Sequence, residues 1–100
     1  MEKLKAHYSL QEIQVIVSRD GGRAFTFTAQ RGVACMGLSR AEAIAVVLAL
    51  TSTMLYKSMT TNTDNKIWQD VYYAPCHNGK IAYIKLTVQD GAVVIQFKEK

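Results

Sequence analysis

The sequence predicts an α+β domain in which helices come first and an antiparallel sheet comes last. Two S-x-x-E segments, residues 9–12 and 39–42, precede apolar residues and are typical of helix starts. Three segments with strand character, 66–73, 80–89 and 92–100, are separated by Asn-Gly and Asp-Gly dipeptides, which favour tight turns. A group of helices followed by a group of strands is typical of the α+β class.

The first helix is predicted to begin after Ser9. The Ser9 hydroxyl can accept a hydrogen bond from a free backbone N–H of the first turn. Leu10, Ile13 and Val17 then recur on one helical face, and Gly21-Gly22 predicts the end of the helix.

A strand, a short helix and a second long helix are predicted next. The stretch "RAFTFTAQ", residues 23–30, alternates in strand fashion with Phe25 and Phe27 on one face. Residues 29–37 are assigned to a short helix. Residues 40–50 are apolar almost all round, which indicates a buried helix behind the Ser39 cap.

The last two strands have a definite predicted register. If Asp90-Gly91 forms a two-residue turn, four polar side chains lie together on one face of the sheet. The pairs are Lys85 with Gln96 and Tyr83 with Lys98. An ordinary solvated sheet face would have the same composition, so this register does not by itself assign a function.

The face occupied by Gln69 depends on the preceding connection. A two-residue turn at Asn78-Gly79 pairs Gln69 with Val88 on the apolar face. A longer connection, which Pro75 favours, places Gln69 on the face of Tyr83. Both alternatives are compatible with the sequence.

Lys57 is the only charged residue between Ala43 and Thr63, and no acidic residue lies near it in sequence. It is either a surface lysine whose stem packs on apolar neighbours or a functional group. A functional lysine here would bind a phosphate, or have a lowered pKa and transfer protons.

Charge and metal-ligand content narrow the possible functions. The net charge of +4 is compatible with a polyanionic partner, and residues 1–56 and 57–100 each hold six basic and four acidic side chains. Two cysteines and two histidines without C-x-x-C or H-x-x-x-H spacing argue against a structural zinc site, and we expect no metal or cofactor. Cys35 and Cys76 are expected to be free thiols.

The chain is predicted to be one cytoplasmic domain spanning residues 1–100. One hundred residues are too few for two independent cores. The longest apolar run, residues 43–50, is far shorter than the roughly 20 residues that a membrane-spanning helix needs. The first ten residues do not resemble a signal peptide, and we expect no membrane association.

Four separated blocks resemble MqsR-type toxins of bacterial toxin–antitoxin systems. They are "YKSMTT" (56–61), "IWQDVY" (67–72), "YIKLTV" (83–88) and the terminal "FKEK" (97–100). The resemblance is strong over residues 54–100 and weaker before them. It implies a RelE-like fold and a sequence-selective mRNA interferase that inhibits translation and growth.

The resemblance also implies the site residues. The catalytic positions of the family correspond to Lys57, Gln69, Tyr83 and Lys98. Beside them, Tyr56 is expected to stack on an unpaired base, and Lys85 and Gln96 to contact RNA.

The implied reaction needs no metal. A ribose 2′-hydroxyl attacks the adjacent phosphorus and leaves a 2′,3′-cyclic phosphate and a 5′-hydroxyl. The site must stabilise charge on the phosphoryl oxygens, accept the proton of the 2′-hydroxyl and donate a proton to the leaving oxygen. The substrate is single-stranded mRNA, and the partner is an antitoxin with a zinc-binding and a DNA-binding domain. The alternative is a non-catalytic nucleic-acid-binding or protein-interaction module.

Overall fold

Three α-helices, two short 3₁₀ helices and five strands make up the structure, a computed structural model that describes residues 1–61 and 66–100. All strand pairs are antiparallel, and the sheet order follows the chain, β1-β2-β3-β4-β5. The elements are β1 (Glu2–Lys3), α1 (Leu10–Asp20), α2 (Phe27–Cys35), α3 (Arg40–Leu48), β2 (Leu55–Thr60), β3 (Trp68–Pro75), β4 (Ile81–Gln89) and β5 (Ala92–Glu99). The predicted α+β class is confirmed.

The helix α1 begins and ends where the sequence predicts. The Ser9 hydroxyl accepts a hydrogen bond from the Glu12 backbone N–H at 3.2 Å. Gly21 ends the helix with a φ of 58°, a conformation that glycine adopts without steric cost. Ile13 and Val17 are fully buried, so the predicted apolar face packs into the core.

The predicted strand over residues 23–30 is wrong. Only Phe25 forms a β-bridge, with Ile95 of β5, and α2 begins two residues later with Phe27 exposed to solvent. The Thr26 hydroxyl accepts a hydrogen bond from the Ala29 N–H at 3.0 Å, so this threonine acts as a helix cap rather than as a strand residue. The short helix predicted over residues 29–37 is confirmed, although it begins earlier.

The helix α3 begins with a complete capping box. The Glu42 carboxylate accepts a hydrogen bond from the Ser39 N–H at 2.8 Å, and the Ser39 hydroxyl accepts one from the Glu42 N–H at 3.1 Å. Ala43 and Val47 are fully buried in the hydrophobic core, while Leu48 is partly exposed.

The β4–β5 register matches the prediction. Gln89 lies opposite Ala92, and Tyr83 lies opposite Lys98. Asp90 and Gly91 have positive φ values of 52° and 75°, which is the backbone geometry of a type I′ turn.

The connection between β3 and β4 is the longer of the two alternatives. Residues 76–80 separate Pro75 from Ile81, and the Cys76 N–H donates to the Lys80 carbonyl at 2.9 Å. Val71 therefore lies opposite Lys85, and Gln69, two residues earlier in the strand, shares their face. The pairing of Gln69 with Val88 does not occur.

The two strands β1 and β2 were not predicted. They complete the sheet on the side of β3, and β1 is joined to α1 by a segment held by a buried carboxylate. Asp70 is fully buried and accepts hydrogen bonds from the backbone N–H groups of His7 and Tyr8 at 2.9–3.1 Å. These bonds satisfy a charge that would otherwise be costly to bury.

The core lies between the helices and one face of the sheet. Its largest fully buried apolar residues from the sheet are Tyr72, Ile84, Leu86 and Ile95. Within residues 1–61 and 66–100, no helix is long and apolar enough to cross a membrane.

Candidate active site on the lysine–tyrosine face

Strand pairing brings the predicted site residues onto the sheet face opposite the helix-packed core. Directly opposite residues of paired antiparallel strands project from the same face. One row across the sheet contains Lys57, Val71, Lys85 and Gln96, and the next contains Tyr73, Tyr83 and Lys98. We call this surface the lysine–tyrosine face; it comprises Tyr56, Lys57, Gln69, Tyr73, Tyr83, Lys85, Gln96 and Lys98.

A β-bulge lets two consecutive residues serve this face. In a regular strand, Tyr56 and Lys57 would project from opposite faces. The β2–β3 register shifts between Leu55 and Lys57, which leaves Tyr56 as the extra residue. Tyr56 then stacks on Tyr73, with ring centroids 4.7 Å apart and planes inclined by 18°. Bulges often redirect a side chain beside a functional site.

Three tyrosine rings form a continuous row across β2, β3 and β4. Tyr73 is the middle ring: it stacks on Tyr56 and lies 5.7 Å from Tyr83, centroid to centroid. Burial, followed by the nearby hydroxyls of Tyr56 and Tyr83, raises the pKa of Tyr73. Tyr73 is therefore neutral at physiological pH and buttresses its two neighbours.

Lysine ammonium groups lie near these rings. Lys98 Nζ is 5.1 Å and Lys85 Nζ is 5.8 Å from the Tyr83 ring centroid. Lys100 Nζ is 4.6 Å from the centroid of Tyr73. These distances are within the range of cation–π attraction, so the rings hold positive charge at the face without neutralising it.

Lys57 has a partner that its sequence neighbourhood does not reveal. Its Nζ lies 2.8 Å from Oε2 of Glu2, which β1 brings beside β2. This hydrogen bond raises the pKa of Lys57 and lowers the pKa of Glu2. The hypothesis of a lysine with a lowered pKa is therefore wrong, and Lys57 is a cation at neutral pH.

A groove of about 450 Å³, which we call the α2 groove, lies between the sheet and α2. Five of the seven predicted site residues line it: Gln69, Tyr83, Lys85, Gln96 and Lys98. Lys57 and Tyr56 lie outside this groove, on β2. The structure thus brings the seven residues onto one face in two adjoining groups.

Three residues near these two groups were not predicted from the sequence. Tyr73 lies four residues after Gln69 in the same strand and therefore on the same face. The longer β3–β4 connection alone would have predicted its place beside Tyr83. Glu2 and Arg31 left no such signal, because the position of β1 and the helical state of α2 are set by tertiary contacts.

The titratable side chains of the lysine–tyrosine face are suited to acid–base catalysis and to electrostatic stabilisation. Among residues 1–61 and 66–100, no three His, Cys, Asp or Glu side chains cluster so as to hold a metal ion. Cys35 and Cys76 are both free thiols, as expected, with Cys35 exposed and Cys76 buried. Burial raises the pKa of the Cys76 thiol, which therefore is not activated as a nucleophile. The lysine–tyrosine face instead offers cations, hydroxyls and amides, which suit a phosphate group.

Two comparisons with known proteins identify the family of this chain. Residues 5–99 match the family described as "Motility quorum-sensing regulator, toxin of MqsA". The chain is 35% identical over 100 residues, the full length of both proteins, to the "mRNA interferase toxin MqsR" of Escherichia coli (strain K12). The protein therefore belongs to the MqsR toxin family.

Proposed function

We propose that residues 1–100 act as a single-domain endoribonuclease, the toxin of a type II toxin–antitoxin system. It cuts single-stranded mRNA at selected sequences without a metal ion and so inhibits translation and growth. The ribose 2′-hydroxyl attacks the neighbouring phosphorus, and the products carry 2′,3′-cyclic phosphate and 5′-hydroxyl ends. Because its substrate is mRNA, the protein acts in the cytoplasm.

Lys57 supplies electrostatic stabilisation. Its ammonium group lies 2.8 Å from the Glu2 carboxylate, and this contact raises the Lys57 pKa, so the charged form is favoured. A cation that is fixed before the reaction stabilises negative charge on the phosphoryl oxygens more effectively than mobile solvent does. Its role is therefore to bind the scissile phosphate rather than to accept a proton.

Tyr83 and Lys98 are the best-placed pair for proton transfer. They lie opposite each other on β4 and β5, and the ammonium group is 5.1 Å from the ring centroid. The nearby positive charge can stabilise negative charge that develops beside the tyrosine during the reaction. Gln69, in the same groove, donates hydrogen bonds that orient the phosphate or a base.

The remaining residues of the face bind the RNA around the cut. Tyr56 is about half exposed and rests on Tyr73, so a ring face is held ready for an unpaired base. Lys85 adds a charge beside Tyr83, and Gln96 is oriented by the Thr26 hydroxyl at 3.0 Å. Phosphate contacts contribute affinity, and base contacts contribute selectivity.

One observation carries the proposal. Lys57, Gln69, Tyr83 and Lys98 come from four different segments of the chain, and folding projects all four from one sheet face. The bulk of the buried core lies on the other face, so these residues have little part in packing the helices.

The direct test is a cleavage assay. Purified protein is incubated with a mixed-sequence single-stranded RNA in EDTA, and the products are mapped and their ends analysed. We expect discrete cuts with cyclic phosphate and 5′-hydroxyl ends, and much slower cleavage by the Lys57→Ala variant. Salt-dependent binding without any cut would favour the non-catalytic module instead, and activity that requires added zinc or magnesium would contradict the metal-free reaction.

The proposed partner is an antitoxin encoded by a neighbouring gene, with a zinc-binding and a DNA-binding domain. The family description names its members as toxins of MqsA, which supports a cognate partner for this chain. Expression of this protein alone should arrest growth, and co-expression of the neighbour should restore it. Normal growth with soluble, active protein in the cells would contradict the toxin role.

A further inference from the structure

The α2 groove has a second wall that the proposed catalytic residues do not explain. Thr28, Arg31 and Cys35 lie at helical spacing on α2 and face the groove together with Gly32. Lys85 and Lys98 lie on the opposite wall. No acidic residue belongs to the groove lining among the described residues, so every charged side chain that lines it is basic.

The helix wall is rigidly attached to the sheet. A Cβ atom on residue 32 would lie 2.0 Å from the carbonyl oxygen of Phe97, so only glycine permits the observed contact between α2 and β5. The backbone N–H of Thr26 donates to the Ile95 carbonyl at 3.1 Å. The Thr26 hydroxyl both caps α2 and donates to Gln96 Oε1 at 3.0 Å. These contacts hold the α2 backbone, from which the Arg31 side chain projects, against β5, the strand that carries Lys98.

Arg31 is exposed and makes no ion pair or side-chain hydrogen bond with any residue in 1–61 or 66–100. Arg23 differs, since it pairs with Asp20 at 3.7 Å and does not line the groove. Arg31 thus offers a guanidinium group without an acidic partner, across the groove from two lysines. Such a group is suited to bidentate contact with a phosphate.

We propose that Arg31 binds a phosphate of the RNA strand that flanks the scissile one, and that α2 is the second wall of the substrate channel. This inference rests on the proposed function, because it assumes that RNA crosses the lysine–tyrosine face. A strand whose scissile phosphate lies at Lys57 and Tyr83 extends across β4 and β5 into the α2 groove. The groove volume of about 450 Å³ lies within the range of ligand-binding pockets.

The test measures phosphate contacts directly. The probe is a single-stranded 2′-O-methyl RNA, which cannot supply the attacking hydroxyl, so binding is measured without cleavage. Affinity is measured from low to moderate salt for wild type, Arg31→Gln, Arg31→Lys and the matched control Arg23→Gln. Loss of one phosphate contact on a single strand should reduce the slope of log K against log salt by about 0.7.

We expect the smaller slope in Arg31→Gln alone, with Arg31→Lys and Arg23→Gln close to wild type. In single-turnover cleavage, Arg31→Gln should raise the RNA concentration for half-maximal rate and leave the maximal rate nearly unchanged. An unchanged salt slope in Arg31→Gln, or equal effects of Arg31→Gln and Arg23→Gln, would overturn the inference. If wild type binds the probe and cuts no RNA, the proposed function fails while the phosphate contact of Arg31 is still measured.

Discussion

The two faces of the sheet are built by the same strands but respond to different physical requirements. On the helix-packed face, Ile84 and Leu86 are fully buried in a contiguous apolar cluster. On the opposite face, their neighbours Tyr83 and Lys85 are partly exposed and contact other polar or aromatic groups. A register change of one residue would exchange these two sets. Stability and the proposed chemistry are therefore separated by the pleat of the strands, and mutations one position apart should have different effects.

The largest expected effect is on stability. Ile84→Ala removes a fully buried side chain from the helix-packed face, so it should lower the free energy of unfolding by about 2–5 kcal/mol. Urea denaturation measures this loss. The matched control is Lys85→Ala, the next residue on the other face, which should change stability by less than about 1 kcal/mol. Equal destabilisation by both variants would contradict the division of roles between the faces.

The next effect is on the rate. Lys57→Ala removes a fixed cation and should slow single-turnover cleavage by roughly a hundredfold or more, the scale of losing a main electrostatic contact. The melting temperature should change little, because Lys57 lies outside the buried core. Lys80→Ala, in the 76–80 connection, is the control and should retain the wild-type rate. A normal rate for Lys57→Ala would reduce this residue to a surface lysine.

A further prediction concerns energetic coupling between Tyr83 and Lys98 within the lysine–tyrosine face. Tyr83→Phe and Lys98→Ala should each slow cleavage strongly. The double variant should lose less than the product of the two effects, because residues that act as a unit give non-additive losses. Strictly multiplicative rate losses would mean that the two side chains act independently.

The smallest expected effect concerns the ion pair at the edge of the face. Glu2→Gln removes a negative charge that competes with RNA phosphate for Lys57, so RNA should bind about two- to fivefold more tightly, the scale of an exposed ion pair. Fluorescence anisotropy with 2′-O-methyl RNA measures this change. Weaker binding would indicate instead that Glu2 mainly holds Lys57 in position.

Local signals predicted much of the fold. The Ser9 and Ser39 caps and the Asp90-Gly91 turn depend on residues close in sequence, and the structure confirms all three. The β4–β5 register followed from that turn, and it placed Tyr83 beside Lys98. The "FTFT" alternation gave a wrong strand, because the same threonine that fits a strand also caps a helix.

The rest of the site depended on long-range contacts. The ion pair of Glu2 with Lys57 joins residues 55 positions apart, and nothing near Lys57 in sequence indicates it. The bulge at Tyr56 has no glycine or other local marker, so alternation alone would have put Tyr56 and Lys57 on opposite faces. The face of Gln69 was undecided until the length of the β3–β4 connection was known.

The central claim is that the lysine–tyrosine face cleaves RNA through the 2′-hydroxyl without a metal ion. The most direct measurement uses an RNA with one mapped cleavage position and a matched RNA in which the 2′-hydroxyl just upstream of the cut is replaced by hydrogen. Both are incubated with wild-type protein in EDTA. We predict that the first is cut and that the second binds equally well and stays intact. Cleavage of both RNAs at the same position and rate would contradict the account.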